Sequence, residues 1–284
     1  MERSINNVLI IVNTLKPDAD TMVEEIKGYL EKQNIGVCVK KVTNEHEDCD
    51  YQEFDLAFSL GGDGTVLYSS RLLSELQIPI MAVNLGDFGF ITEVSQSEWK
   101  EAFLKYQRGL LGISKRIMLD VSVTRNGAEL NSFTGLNDGV IGATGISKIV
   151  RLQISLSDTY VGGYRADGVI VSSPTGSTAY SAAAGGPILD PEMEAMIINP
   201  ICPFTLSNRP IVVPGDKNII IEVMEKQRTD ILLTVDGQYA VELLPRDTIH
   251  IGLSEKRALI IRSDRRNFYE VLRTKLNWSG GPDA

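Results

Sequence analysis

Leu60-Gly61-Gly62-Asp63-Gly64-Thr65 lies between an apolar run, Phe54 to Leu60, and a stretch with helical spacing, Val66 to Leu76. Glycines at such a junction let a ligand approach backbone N–H groups closely, and phosphate is the natural ligand. The competing reading is a tight turn at positive φ with Asp63 as a solvated turn residue. Upstream, Val8 to Val12 reads as a buried strand, and Asp18 to Gln33 is helical with Met22, Ile26, Tyr29 and Leu30 on one face. Ile35 to Val42 returns to strand character, and Ile78 to Val83 follows the glycine turn as a fourth strand. This alternation predicts a parallel sheet with helices on its faces, whose ligands sit beyond the carboxyl ends of the strands. Ser95-Gln96-Ser97-Glu98 has the form of a capping box, opening a helix with Trp99, Phe103 and Tyr106 on one face.

From Ile113 the pattern changes to short β-prone runs: Met118 to Thr124, Ile149 to Leu156, Val169 to Ser172, Asn218 to Val223, Ile231 to Val235 and Ala258 to Arg262. Asn126-Gly127 and Asp236-Gly237 are hairpin-turn signals. Asp264 to Trp278 has helical spacing in Phe268, Leu272 and Leu276. The expected organisation is an α/β N-terminal domain with a parallel sheet over 1–112 and a mostly β domain over 113–262. A helical segment, 263–284, is expected to pack back on the first domain.

The chain has 284 residues, 43% of them apolar, enough for a sizeable core. Its 28 basic and 37 acidic residues give a formal charge of −9, which argues against nucleic acid or an anionic membrane as partner. Cys38, Cys49 and Cys202 form neither a disulfide framework nor a zinc spacing, and the first residues have no signal-peptide pattern. A cytoplasmic location fits best. His46 and His250 are the only histidines, and neither sits beside a nucleophile or ligand cluster. No G-x-x-x-x-G-K-[ST] is present and no G-x-G-x-x-G follows the first strand, so any nucleotide is bound by another route.

Three further clusters carry chemistry. Asn84-Leu85-Gly86-Asp87-Phe88-Gly89-Phe90 follows the fourth strand on the same edge as Asp63, either as a polar ligand contact through Asn84 or as a structural loop. Asn137-Asp138 places an amide beside a carboxylate, suited to base edges and ribose hydroxyls, with a plain turn as the alternative. Arg165-Ala166-Asp167 leads through a β run into Ser173-Pro174-Thr175-Gly176-Ser177-Thr178-Ala179-Tyr180-Ser181-Ala182-Ala183-Ala184-Gly185-Gly186-Pro187. These small residues suit a helix N-terminus open to a ligand, or simply close helix packing.

Together, and in this order, these segments resemble the NAD kinase family, and the resemblance continues through Pro203 to Val212, Val235-Asp236-Gly237-Gln238 and Phe268 to Trp278. It implies the NAD kinase/diacylglycerol kinase-like fold and transfer of ATP's terminal phosphoryl group to the 2′-hydroxyl of NAD's adenosine ribose. Asp63 is then the proton acceptor, with Gly64 beside the same ribose, and Gly61, Gly62, Gly64 and Thr65 hold phosphate. Asn84, Asn137, Asp138, Arg165, Asp167, Thr178, Ala179, Tyr180, Ser181, Ala182, Ala183 and Gln238 are expected to bind NAD. A further basic contact matches Lys148, with Arg151 close by. The chain departs from the family at Asp138 (commonly Glu), Phe204 (often His), Ala166 (often Gly or Ser) and Ser173 (often Thr).

The resemblance also implies a divalent cation, Mg²⁺, accompanying ATP, no protein-held metal, and a homodimer or homotetramer. Two rivals differ in class. A lipid kinase of the diacylglycerol or sphingosine type shares G-G-D-G-T but usually lacks the Pro174 to Pro187 block. A non-catalytic NAD(H) sensor would keep the pocket without turnover, and the retained Asp63 weighs against it.

Overall fold

The computed structural model describes residues 2–42, 53–86, 88–145, 149–205 and 208–278. His46, Cys49, Asp87 and Lys148 fall outside them. Contacts divide the chain into a first unit, Met1–Lys115 with Arg257–Ala284, and a second, Arg116–Lys256.

The first unit runs β1 (Asn7–Val12), α1 (Ala19–Glu31), β2 (Gly36–Lys41), β3 (Leu56–Gly61), α2 (Asp63–Leu73), β4 (Ile80–Asn84), β5 (Val94–Ser95) and α3 (Trp99–Gln107). The second contains β6 (Ile113–Arg125), β7 (Ala128–Gly135), β8 (Asp138–Ala143), β9 (Val150–Leu156), β10 (Thr159–Ala166), β11 (Gly168–Ser172), α4 (Tyr180–Ala183), β12 (Ala195–Ile201), β13 (Ile211–Pro214), β14 (Ile219–Val223), β15 (Ile231–Val235) and β16 (Tyr239–Leu243). β17 (Thr248–Ile261) leads back to the first unit, where α5 (Phe268–Lys275) ends the described chain.

In the first unit β2, β1, β3 and β4 lie side by side and parallel, as the alternating pattern requires, with the end of β17 parallel to β4. Their apolar faces and the inner faces of α1 and α3 close on Phe58, Trp99 and Phe103, each almost fully buried. In the second unit β13-β12-β11-β8-β15-β16 form a six-stranded antiparallel sheet. β10, β9, β14 and the start of β17 form a second antiparallel set, and β6 and β7 pair as a hairpin. Alternate residues of both sets meet in one core, including Val121, Ile141, Ile154, Val171, Ile198, Ile221 and Leu233. The α/β plus mostly β class therefore holds.

Three local expectations do not. α2 begins at Asp63, three residues earlier than the apolar spacing indicates, because Gly62 in extended backbone caps it and Thr65 N–H reaches Gly62 C=O at 2.9 Å. Gly61, Gly62 and Gly64 are not among the positive-φ residues, so the tight-turn reading fails. Gly61 is needed for space, since a Cβ there would overlap the Thr65 side chain. The Ser95–Glu98 box is only half formed: Glu98 accepts from Ser95 N–H at 3.0 Å, but α3 starts after Glu98 and has no side-chain cap. The reciprocal box occurs instead at α5, between Asn267 and Glu270. Both hairpin signals hold: Asn126-Gly127 is a two-residue loop between β6 and β7 with positive φ at both residues, and Asp236-Gly237, also at positive φ, opens the three-residue loop 236–238 between β15 and β16.

In the first core Tyr29 meets Trp99 edge-on at 5.4 Å and Phe103 at 6.4 Å, and Phe58 lies 6.1 Å from Phe103. Phe103→Ala leaves a cavity that these rings cannot fill without losing their contacts. We expect a loss of about 3–5 kcal/mol in the stability of the first unit, followed in denaturant by the fluorescence of buried Trp99. An unchanged midpoint would show that the core collapses around the gap.

Candidate active site

Asp63 is the first residue of α2, at the carboxyl end of β3, where Gly61 pairs with Asn84 of β4. The chain leaving β4 folds back over this helix end. The Asp63 Oδ2 accepts from Phe90 N–H at 2.8 Å, while Oδ1 accepts from Ile91 N–H at 3.2 Å, Thr92 N–H at 3.2 Å and the Thr92 hydroxyl at 3.3 Å. The loop lies so close that a Cβ on Gly89 would overlap the Asp63 carboxylate. Asn84 turns into the same loop and donates to Gly86 C=O at 2.9 Å. Phe88 and Phe90 are held from the C-terminal segment: the Arg266 guanidinium sits 4.2 Å from the Phe88 ring and the Lys275 ammonium 5.4 Å from the Phe90 ring. Both rings thus have cationic partners within the first unit.

In the second unit, strands far apart in sequence converge at one end of the six-stranded sheet. Asp138 begins β8 opposite Ser172, the last residue of β11, and Gly139 is opposite Val235, the last residue of β15. Asn137-Asp138, the Ser173 to Ala183 segment and Asp236 are therefore neighbours. Ser173 N–H donates to Asn137 C=O at 2.8 Å, and the Ser173 hydroxyl to Leu136 C=O at 2.5 Å. Gly176 passes where any Cβ would overlap the Asn137 carbonyl, so the 3-10 turn Thr175–Thr178 rests directly on the pair. α4 is pinned by buried Asn199, which donates to Ser181 C=O at 2.9 Å.

Three buried polar atoms here have no hydrogen-bond partner in the described structure, Asn137 Oδ1, Thr175 Oγ1 and Asn199 Oδ1. Buried polar groups are normally paired, so such atoms stand out. Asp138 is 6% exposed. Burial, and then the charge of Asp236, push its carboxyl up to about 7. Asp236 accepts from Leu136 N–H at 2.9 Å, Asn137 N–H at 2.7 Å and Asp138 N–H at 3.2 Å. The sequence marked Asp236 only as a turn residue, because its partners are backbone groups that leave no trace in side-chain pattern. Thr175, inside the quoted small-residue block, went unassigned for the same lack of a signal.

Not every expected residue joins this cluster. Arg165 and Asp167 lie at the other end of β11, where Gly168 pairs with Gly142. There Asp167 N–H donates to Ile201 C=O at 2.9 Å, and the exposed Arg165 has its guanidinium 4.9 Å from the Phe204 ring. Gln238 is exposed in the β15–β16 turn, close in sequence to Asp236. Thr178 and Ala179 are partly buried, Tyr180 is exposed, and Ser181 is buried.

Comparison with known proteins gives the family and the fold. Residues 40–109 match the ATP-NAD kinase N-terminal domain and residues 136–263 the ATP-NAD kinase C-terminal domain. A protein named NAD kinase from Treponema denticola is 42% identical over 97% of this chain and 98% of its own length. Another so named, from Caldanaerobacter subterraneus subsp. tengcongensis, is 44% identical over 80% of each. The yeast NADH kinase complexed with NADH shares the fold with a TM-score of 0.89 at 23% identity, covering 98% of this chain and 89% of that one. An Archaeoglobus fulgidus NAD kinase in complex with ATP gives 0.74 at 24% identity, covering 97% and 100%.

The Asp138 environment makes stability depend on pH. Between the ordinary 3.8 and about 7, the folded chain keeps a proton on Asp138 that the unfolded chain has released. This contribution is complete below the lower value and lost as pH rises through the upper one. Relative to Asp138→Asn, the second unit of the wild type should weaken between about pH 4 and about pH 7 by on the order of a few kcal/mol. Hydrogen exchange of β8 and β11 amides measures it; parallel pH profiles for the two proteins would refute the assignment.

Proposed function

The chain belongs to the ATP-NAD kinase family, and from that premise we propose that it phosphorylates the 2′-hydroxyl of NAD's adenosine ribose with Asp63 as proton acceptor. The observation that carries the residue-level reading is the placement of the Asp63 carboxylate. Its Oδ1 already accepts from three donors, whereas Oδ2 accepts from one. Each carboxylate oxygen offers about two lone-pair sites, so Oδ2 retains capacity for a hydroxyl proton. Its position is fixed by backbone N–H groups and needs no rearrangement during reaction.

In the reaction Oδ2 takes the proton of the 2′-hydroxyl as the ribose oxygen forms its bond to the terminal phosphorus and the bond to ADP breaks. Such transfer passes through a loose transition state, for which alignment and charge neutralisation matter most. Gly61, Gly62, Gly64 and Thr65 form the N-terminal end of α2, where the helix dipole favours phosphate. ATP enters as its complex with a divalent cation, Mg²⁺. Among the described residues no group of three or more His, Cys, Asp and Glu could hold an ion. The ATP phosphates would carry the ion, and its charge would offset theirs.

From the second unit Asn137, Asp138 and Thr175 offer polar atoms to NAD, and Thr178, Ala179, Tyr180, Ser181, Ala182 and Ala183 line it. Asn84, Gln238, Arg165, Asp167 and Lys148 complete the proposed contacts. Among the described residues no helix is long and apolar enough to cross a membrane. We place the enzyme in the cytoplasm as two or four copies, a number that light scattering reads directly.

Purified protein given Mg²⁺-ATP and NAD should yield NADP, detected with an NADP-specific dehydrogenase, and should leave diacylglycerol and sphingosine unphosphorylated. Lipid phosphate without NADP would instead identify a lipid kinase, and NAD binding without turnover a sensor. Asp63→Asn should lower kcat by about 10²- to 10⁴-fold, and its amide NH₂ will also face a loop N–H, loosening residues 88–92. Asp138→Ala should weaken NAD binding by about 1–3 kcal/mol. Unchanged calorimetric affinity in a folded Asp138→Ala protein would remove that residue from the site.

A further inference from the structure

The Asn137-Asp138 segment has a third side chain behind it. We propose that Asp236 is a positioning residue for the kinase reaction, its carboxylate tying the N–H groups of Leu136, Asn137 and Asp138 into one fixed turn that aims the Asn137 and Asp138 side chains at NAD. The proposal rests on the reading of that pair as NAD-binding.

The geometry is reciprocal. Asp236 accepts from the three consecutive N–H groups and returns its own N–H to Asp138 C=O at 2.9 Å. It is 8% exposed, and its backbone is in the left-handed region at φ 52°, where it opens the three-residue hairpin loop between β15 and β16. The hairpin thus places the carboxylate against the turn at 136–138. On the other side the Asn137 carbonyl is taken by Ser173 N–H and by the Ser172 hydroxyl at 3.3 Å. With donor and acceptor both fixed, the Asn137 backbone cannot rotate. Its buried Oδ1 has no partner in the described structure. A mere turn residue would not need a carboxylate, since Asn or Gly accepts the same backbone conformation.

Asp236 also acts on Asp138 through space. Across β8 from Asp138 stands Ser172, which is uncharged, and the β15–β16 turn brings Asp236. The ionised form of Asp138 accepts hydroxyl donors from NAD. Affinity for NAD in the wild type should therefore rise as pH passes upward through about 7, and removal of the Asp236 charge should move that midpoint down.

The test is Asp236→Asn, which keeps the size and the left-handed backbone but sets an NH₂ donor against a backbone N–H. We expect KM for NAD to rise about tenfold or more, KM for ATP to stay within about twofold, kcat to fall less than KM rises, and the pH midpoint of NAD binding to fall by about one unit. Asp236→Glu retains the charge and displaces the oxygens, so it should raise KM for NAD while leaving the midpoint near that of the wild type. It also serves if the Asn variant fails to fold. An unchanged KM for NAD in either folded variant overturns the proposal. So does an equal loss of NAD affinity, ATP affinity and kcat with an unmoved midpoint, which would mean a structural role only. Absence of NADP from the wild type would refute the kinase reading separately, and calorimetric NAD binding would still report on Asp236.

Discussion

Backbone N–H groups in a loop at the end of a sheet have no strand to pair with, and leaving them buried without an acceptor costs about 1–3 kcal/mol each. In both units one aspartate meets that demand. Asp63 gathers the N–H groups of Phe90, Ile91 and Thr92, and Asp236 those of Leu136, Asn137 and Asp138. A single negative charge suits three converging donors better than a neutral amide, which would turn its own donor toward one of them. The remaining local features follow: Gly89 must be glycine for the first loop to reach Asp63, and the hairpin at 236–237 must be left-handed for the second carboxylate to face β8.

The first of these loops is held from two sides. Arg266, which covers the Phe88 ring, is fastened by Glu98, its guanidinium donating to Oε2 at 2.6 Å and to Oε1 at 3.0 Å. That bond holds the Glu98 carboxyl down to about 2, so the pair stays ionised wherever the protein is folded at ordinary pH. This gives the return of the chain after β17 a purpose within the first unit. The C-terminal segment, more than 170 residues away in sequence, clamps the loop that clamps Asp63, and preorganisation is what phosphoryl transfer asks of the proton acceptor proposed there.

Much of this was legible in the sequence, because strands and helices of the first unit bury whole faces and so show period and apolar runs. Leu56–Gly61 and Ile80–Asn84 follow those runs closely. The start of α2 was hidden because Gly62-Asp63-Gly64 has poor helix propensity and its helical state depends on the loop that packs over it. β8, β10 and β12 were missed because Asp138–Ala143 and Thr159–Ala166 each carry two glycines and Ala195–Ile201 carries Pro200, residues that mark turns when read locally. Pairing with neighbours on both sides overrides those preferences in β8 and β12. The quoted motifs located Asn137, Asp138 and the small-residue block, but only strand register shows that Ser172 meets Asp138 while Asp167 stands at the far end of the same strand. Spacing in sequence carries no such information.

The two carboxylates of the second unit divide their tasks by environment. Asp236 spends its charge on three amides, whereas Asp138, buried beside it, holds a proton up to about 7. Asn137 Oδ1 and Thr175 Oγ1 are buried acceptors without partners in the described structure. The second unit thus carries several acceptors whose desolvation is not offset from within the chain. A ligand rich in hydroxyl and amine donors offsets it on binding, while a ligand with an alkyl chain in the same place leaves each acceptor unpaired at a further cost. With these residues in the proposed NAD-binding role, discrimination for a dinucleotide over a lipid follows from acceptors that the strands hold in place beforehand, and it requires no residue whose task is to exclude the lipid.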